Sequence, residues 1–210
     1  MSDWTGNTQS VMATLNASNH SEKDRAQQDY YASPPHTILD LFAVEVFSQS
    51  VWEPACGEGH LSKAMETTGK IVYSTDIIDR GYGNVYDFIG MERKQWDGDI
   101  ITNPPFSHST EFAERALDTL LTGRKLALLL RIQFLESVKR QRLFQTQPPK
   151  MVYVYARNIR CAKNGDFANA TGNASTYCWF VWEKGWKGTP GIGWISGGRT
   201  ATTKKDAWAC

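Results

Sequence analysis

The sequence predicts an α/β protein: a mainly parallel, doubly wound sheet with helices on both faces and an antiparallel strand near the C-terminus. Three observations carry that expectation. Short apolar runs alternate with segments of helical periodicity through most of the 210 residues, as successive βα units require. Leu126–Leu130 is a continuous apolar run, which fits a central strand buried on both faces. The strand-like Asp99-Ile-Ile-Thr102 stops at Asn103-Pro104-Pro105-Phe106, because two prolines donate no ladder hydrogen bond and fix φ. The chain must leave the sheet there, and open α/β sheets bind their ligands at that carboxyl edge.

Each element follows in order. Residues 1–30 are polar and read as an irregular arm with a helical turn from Ser21, ahead of one domain over 31–210. Pro34-Pro35 is placed to start a helix Thr37–Ser48, whose Ile38, Leu41, Phe42 and Val46 keep helical spacing. Val51–Ala55 is a strand, Cys56–His60 a turn and Leu61–Thr68 a helix. Ile71–Thr75 is a second strand ending in Asp76, followed by a loop at Gly81–Asn84. Val85–Phe88 is too short to assign. Glu111–Leu121 is a helix with Gly123 at its C-cap, Phe134–Phe144 a basic amphipathic helix stopped by Pro148-Pro149. Met151–Tyr155 and Tyr177–Trp182 are aromatic-rich strands around a polar loop, 162–176, and the tail from 185 carries no repeat.

Composition excludes several classes. With 41% hydrophobic and 21% charged residues, the chain has the material for a core and is not disordered. No apolar run approaches the roughly 20 residues of a membrane helix, and no secretory signal opens the sequence. A cytoplasmic location without membrane partners is expected, and the Asn-x-Ser/Thr matches at Asn16, Asn19, Asn169 and Asn173 are then chance. Cys56, Cys161, Cys178 and Cys210 form no CxxC pair, and the four histidines show no ligand spacing, so neither a disulfide framework nor a metal is expected. Net charge is +1, yet residues 124–163 hold ten Lys/Arg against the single acid Glu136. That asymmetry suggests a polyanion-facing side, with Lys139, Arg140, Arg142, Arg157, Arg160 and Lys163 as candidate nucleic-acid contacts.

Chemistry concentrates at three strand ends. Glu53-Pro54-Ala55-Cys56-Gly57-Glu58-Gly59 lies at a strand-to-helix turn, where glycines let the backbone approach a ligand closely. The spacing is G-x-G without a third glycine, so a smaller charged ligand fits better than a pyrophosphate. Asp76, followed by Ile77, ends the next strand about 20 residues on, where a ribose diol is held; helix N-capping is its alternative role. Asp87-Phe88 is suited to an adenine ring, the carboxylate taking the exocyclic amine and the ring one face; Asp79, Asp97 and Asp99 compete for the first role.

With these residues in view, Glu53-Pro-Ala-Cys-Gly-Glu-Gly59, Asp76 and Asn103-Pro-Pro-Phe106 together resemble the S-adenosylmethionine-dependent amino-methyltransferases. In that superfamily a (D/E)PxCGxG loop holds the methionine part of the cofactor, and an (N/D/S)PP(Y/F) tetrapeptide is catalytic. The motif order matches the N6-adenine branch. Asp29-Tyr-Tyr-Ala-Ser-Pro-Pro35 resembles the additional N-terminal cofactor motif of that branch, which adds Tyr31, Ser33 and Pro34 to the expected cofactor site. With Trp182-Glu-Lys-Gly-Trp186, the pattern over roughly 29–195 is similar to the small DNA adenine methyltransferases of bacteriophages and prophages.

The resemblance implies a Rossmann-like methyltransferase fold, S-adenosylmethionine as cofactor and DNA as partner. It also implies methyl transfer to the N6 amine of adenine, catalysed by Asn103, Pro104, Pro105 and Phe106. The chemistry is coherent. An exocyclic amine is a poor nucleophile because its lone pair is conjugated into the ring. Acceptance of its two N–H groups by the Asn103 side-chain oxygen and the Pro104 carbonyl frees that lone pair, and positioning with electrostatics supplies the rate. Phe106 stacks on a base that must be flipped out of the duplex. The chain has no room for a separate target-recognition region, so short or relaxed sequence specificity is expected. Asn at 103 is shared with enzymes that methylate RNA adenine or a protein glutamine amide, and both remain alternatives. A non-catalytic nucleic-acid-binding protein with this fold is the alternative of another class.

Overall fold

The computed structural model describes residues 30–90, 92, 94–163 and 175–196. The arm expected over 1–30 except Tyr30, most of the 162–176 loop and the tail beyond 196 lie outside the described residues. In chain order the elements are β1 (Tyr31–Ala32), α1 (His36–Phe42), β2 (Ser50–Glu53), α2 (His60–Thr67), β3 (Ile71–Asp76), β4 (Asn84–Val85) and β5 (Asp99–Thr102). They continue with α3 (Ser109–Thr119), β6 (Lys125–Arg131), α4 (Val138–Thr146), β7 (Met151–Tyr155), β8 (Ala162–Lys163), β9 (Tyr177–Glu183) and β10 (Gly191–Ile195).

Eight strands form one mixed sheet in the order β10-β7-β9-β6-β5-β2-β3-β4. β9 runs antiparallel to β6 and β7, and the other neighbours are parallel. The doubly wound expectation holds, with its antiparallel strand near the C-terminus. β2 is flanked by β3 on one side and β5 on the other. The strand order reverses there, and the carboxyl ends of these three strands frame a crevice.

Period-2 alternation divides the core between two faces. Ala127 and Leu129 of β6, with Trp179 and Val181 of β9, meet Ile38, Leu41, Leu61 and Met65 of α1 and α2. Leu126, Leu128 and Leu130, with Phe180 and Trp182, meet Phe112, Ala116, Leu117 and Leu143 of α3 and α4. Helices thus cover both faces, as the apolar run in β6 predicted.

The departures have physical causes. α1 ends at Phe42 instead of Ser48, and Val46, counted on its apolar face, is 81% exposed. Glu45 is drawn out of the helix to Lys125 Nζ and Tyr153 Oη. The helix expected over Phe134–Phe144 is a 3-10 turn, Ile132–Leu135, followed by α4. Ser137 caps α4, accepting from the Lys139 amide at 3.1 Å, as N-cap serines do. Three pairings fall where no strand was expected. β4 is two residues beside β3, β10 extends the sheet beyond β7, and β8 pairs with β1, placing Lys163 opposite Tyr31.

Candidate active site

A cavity of about 560 Å³ opens at the carboxyl ends of β2, β3 and β5, within the range of small-molecule sites. Its walls carry Glu53, Pro54, Ala55 and Cys56 after β2, Asp76 and Ile77 at the end of β3, Asp87 and Phe88, and Asn103 through Phe106 after β5. Tyr31 and Ser33 close it from the N-terminal side. Of the expected site residues, Pro34, Gly57 and Gly59 do not reach the wall.

Each of the two glycines faces a tyrosine ring. Gly57 (φ +55°) and Gly59 (φ +79°) are left-handed, and a Cβ on either would lie 2.3 Å from the ring of Tyr30 or Tyr82 respectively. The turn therefore packs two tyrosine rings. The Gly57 amide donates to Asp76 Oδ2 at 2.9 Å, and the Glu58 amide to Tyr30 Oη at 3.2 Å.

Asp76 ends β3 on the cavity wall and, with β4 next in the chain, caps no helix. Its Oδ1 accepts from the Ile78 amide at 2.9 Å, a local turn, while Oδ2 holds the glycine turn. A carboxylate has roughly four lone-pair sites, so capacity toward the cavity remains. Asp87 is held in the same way, its Oδ1 accepting from the Ile89 and Gly90 amides. Its three competitors are placed elsewhere. Asp79 closes a turn onto Gly81, Asp97 pairs with Arg124, and Asp99 joins Ser48 to Lys125 at the opposite end of β5. Phe88 is 3% exposed and packs edge-on against Trp52, with the Phe112 ring 5.3 Å away.

Glu53 is buried and accepts a hydrogen bond from Ser62 Oγ, which lies 2.6 Å from Ser74 Oγ. Burial pushes its carboxyl up to about 8; the Ser62 hydrogen bonds oppose that rise, and the charge of Asp76 adds to it. Desolvation of the charged form is the dominant cause. Burial also pushes the Cys56 thiol up to about 12, so it is not a nucleophile at neutral pH.

The amide of Asn103 is fixed in orientation by two hydrogen bonds. Nδ2 donates to the Tyr31 carbonyl at 2.7 Å and to Ser33 Oγ at 2.8 Å. A carbonyl only accepts, so the nitrogen must face it and the amide cannot be flipped. Among the described residues Oδ1 is then left buried without a hydrogen-bond partner, a costly state for a strong acceptor. Phe106, in a 3-10 turn entered through Pro105, has Tyr31 at 5.7 Å and Tyr177 at 6.1 Å between ring centroids.

Sequence reasoning missed Tyr30, Arg80, Tyr86 and His108, which also line the cavity. Tyr30 was legible as the neighbour of Tyr31; Arg80 sits on a loop and His108 ends the 3-10 turn before α3, with no motif to mark either. Arg131, whose guanidinium lies 4.7 Å from the Phe106 ring, was legible only as the end of the central strand.

The basic segment is less available than its sequence suggests. Arg140 donates to the carbonyls of Phe134, Gln133 and Glu136, and so staples the turn before α4. Arg124, Lys125 and Lys150 are paired with Asp97, Glu45 and Glu183. Lys139, Arg142, Arg157 and Arg160 are exposed; the side chain of Lys163 lies outside the described residues. Among the described residues no His/Cys/Asp/Glu group could hold a metal, and no helix is long and apolar enough to cross a membrane.

The sheet order and the cavity at its switch point define a class: this is the Rossmann-like fold of the S-adenosylmethionine-dependent methyltransferases. A structure from Listeria monocytogenes assigned as a class I S-adenosylmethionine-dependent methyltransferase superposes with a TM-score of 0.56 at 11% identity, over 90% of this chain and 71% of that one. A Pyrococcus horikoshii structure assigned as an RNA methyltransferase gives 0.52 at 13% identity, over 85% of this chain and 99% of that one. An Agrobacterium tumefaciens structure assigned as an O-methyltransferase gives 0.53 at 11% identity, over 77% and 84%. No family model matches the chain, and no curated protein matches it in sequence.

Proposed function

We propose that the protein transfers a methyl group from S-adenosylmethionine to the N6 amine of adenine in DNA. The observation that carries this reading is the buried, unpartnered Oδ1 of Asn103, oriented by two hydrogen bonds on Nδ2. It is an acceptor held ready for a donor, and together with the Pro104 carbonyl it can take both N–H groups of a primary amine, where a hydroxyl offers only one.

The cavity fits the cofactor. It joins a buried carboxylate at Glu53, a turn-bound carboxylate at Asp76 and a third at Asp87, in about 560 Å³. Glu53 and the following turn would hold the methionine portion, Asp76 the ribose, and Asp87 with Phe88 the adenine. When bound, the cofactor supplies an electrophilic sulfonium methyl. Asn103 Oδ1 and the Pro104 carbonyl each accept one N–H of the amine, which pulls the nitrogen toward tetrahedral geometry and frees its lone pair. Pro105 fixes the turn, and Phe106 stacks on the flipped base. No strong base is needed, because the proton leaves after transfer from a cationic nitrogen.

Exposed Lys139, Arg142, Arg157 and Arg160 favour a nucleic acid over a glutamine side chain, and the motif resemblance favours DNA over RNA. Transfer from methyl-labelled cofactor to unmethylated DNA, RNA and protein, followed by nucleoside analysis, tests the reading. N6-methyladenine in DNA, lost with Asn103→Ala, supports it; label appearing only in RNA or in protein overturns it.

A further inference from the structure

We infer that Arg131 is a positioning residue that holds the Phe106 ring for the incoming base, an inference that rests on the proposed adenine chemistry. Arg131 is the last residue of β6, and its backbone is locked into the ladder opposite Tyr177. The next amide, Ile132, donates to the Thr176 carbonyl at 2.9 Å. Its guanidinium carbon lies 4.7 Å from the centroid of Phe106 and 6.0 Å from that of Tyr31. Phe106 lines the cavity and Arg131 does not, so the cation meets the ring without itself forming the cavity wall.

Three contacts then define the plane of Phe106. Tyr31 and Tyr177 bound it as rings, and Arg131 bounds it as a cation. The rings alone leave the plane soft, because tilted aromatic pairs tolerate a broad range of geometry. A guanidinium on the π face adds a directional electrostatic contact. Arg131 Nε is buried and, among the described residues, makes no hydrogen bond and has no carboxylate within ion-pair distance of the guanidinium. Its charge lowers the Tyr177 and Cys161 side-chain pKa values against the rise that burial causes. A phosphate contact for Arg131 is less favoured, since the group is over the Phe106 ring and not on the cavity wall. The role acts through Phe106, by fixing where the base stacks.

A double-mutant cycle tests this with Arg131→Met, Arg131→Lys and Phe106→Ala, using single-turnover transfer of labelled methyl to unmethylated DNA. A duplex with 2-aminopurine at the adenine that the wild type methylates reports stacking by fluorescence quenching. Arg131→Met is expected to slow transfer about tenfold without changing cofactor affinity, to weaken the quenching, and to have no further effect in the Phe106→Ala background. Arg131→Lys is expected to recover most of the rate. Additive losses with Phe106→Ala overturn the inference, as does a loss confined to DNA affinity with a shallower salt dependence, which would mark a phosphate contact. If the label enters RNA adenine instead, the proposed substrate fails while the same cycle on RNA still decides the role of Arg131. If no adenine polymer is labelled by the wild type, both fall.

Discussion

The side-chain nitrogen of Asn103 donates to the backbone carbonyl of Tyr31 at 2.7 Å, across 72 residues of sequence. That bond ties the end of β5 to the short strand β1 and determines which end of the amide faces the cavity. Ser33 adds the second bond. Replacing Ser33 with alanine removes one of the two restraints and leaves the acceptor in place. A hydrogen bond is worth on the order of 1 kcal/mol net, so single-turnover methyl transfer is expected to slow about fivefold. An unchanged rate would mean that Ser33 does not set the amide orientation.

Gly57→Ala and Gly59→Ala each place a Cβ in a left-handed backbone and 2.3 Å from a tyrosine ring. The backbone alone costs about 1–2 kcal/mol. Both variants should melt several degrees lower and bind the cofactor more weakly, read by calorimetry. Gly57→Ala combined with Tyr30→Ala relieves the clash and not the backbone strain, so it should recover only part of the loss.

Glu53 makes stability depend on pH in a defined direction. Burial raises its folded-state pKa from 4.5 to about 8. Between those values the folded state binds a proton that the unfolded chain releases. The contribution is therefore fully present below about 4.5 and is lost as pH rises through about 8. Urea titrations from pH 5 to 9 should show stability falling across this window, and Glu53→Gln should flatten that fall. An equal slope in the variant would rule out Glu53 as its source.

At the opposite end of the sheet, Lys125 Nζ bonds Glu45 and the Val46 carbonyl, and Tyr153 Oη donates to Glu45 Oε2 at 2.9 Å. Lys125→Met leaves a largely buried carboxylate without its cation, an imbalance that costs about 3 kcal/mol. Denaturation should show that loss while the rate per folded molecule stays unchanged, because the cluster lies far from the cavity edge.

Salt dependence separates working cations from structural ones. If Lys139, Arg142, Arg157 and Arg160 meet phosphates, each substitution by Gln should lower the slope of log K against log salt by about 0.9 on duplex DNA. Arg140→Gln should instead lower the melting temperature, since its guanidinium staples three carbonyls before α4. A slope unmoved by the four substitutions would remove these residues from the DNA interface.

What the sequence determined by itself is local and periodic. The apolar run of β6, the alternation through β9 and the paired prolines after Thr102 state the strands, the faces they bury and the point where the chain leaves the sheet. Those signals act over a few residues, which is why the fold class, the glycine turn, Asp76 and Asn103-Pro-Pro-Phe106 were legible. Tertiary structure alone decided who partners whom. Charge in sequence did not say that Lys125 and Arg140 are consumed internally, and helical spacing did not say that Glu45 is pulled out of α1. Nor could any motif say that Tyr30 packs on Gly57, or that Arg131 lies over the ring of Phe106. The orientation of the Asn103 amide is the clearest case. The residue type is written in the tetrapeptide, but which of its two ends faces the cavity depends on Tyr31 and Ser33, brought beside it only when the sheet closes.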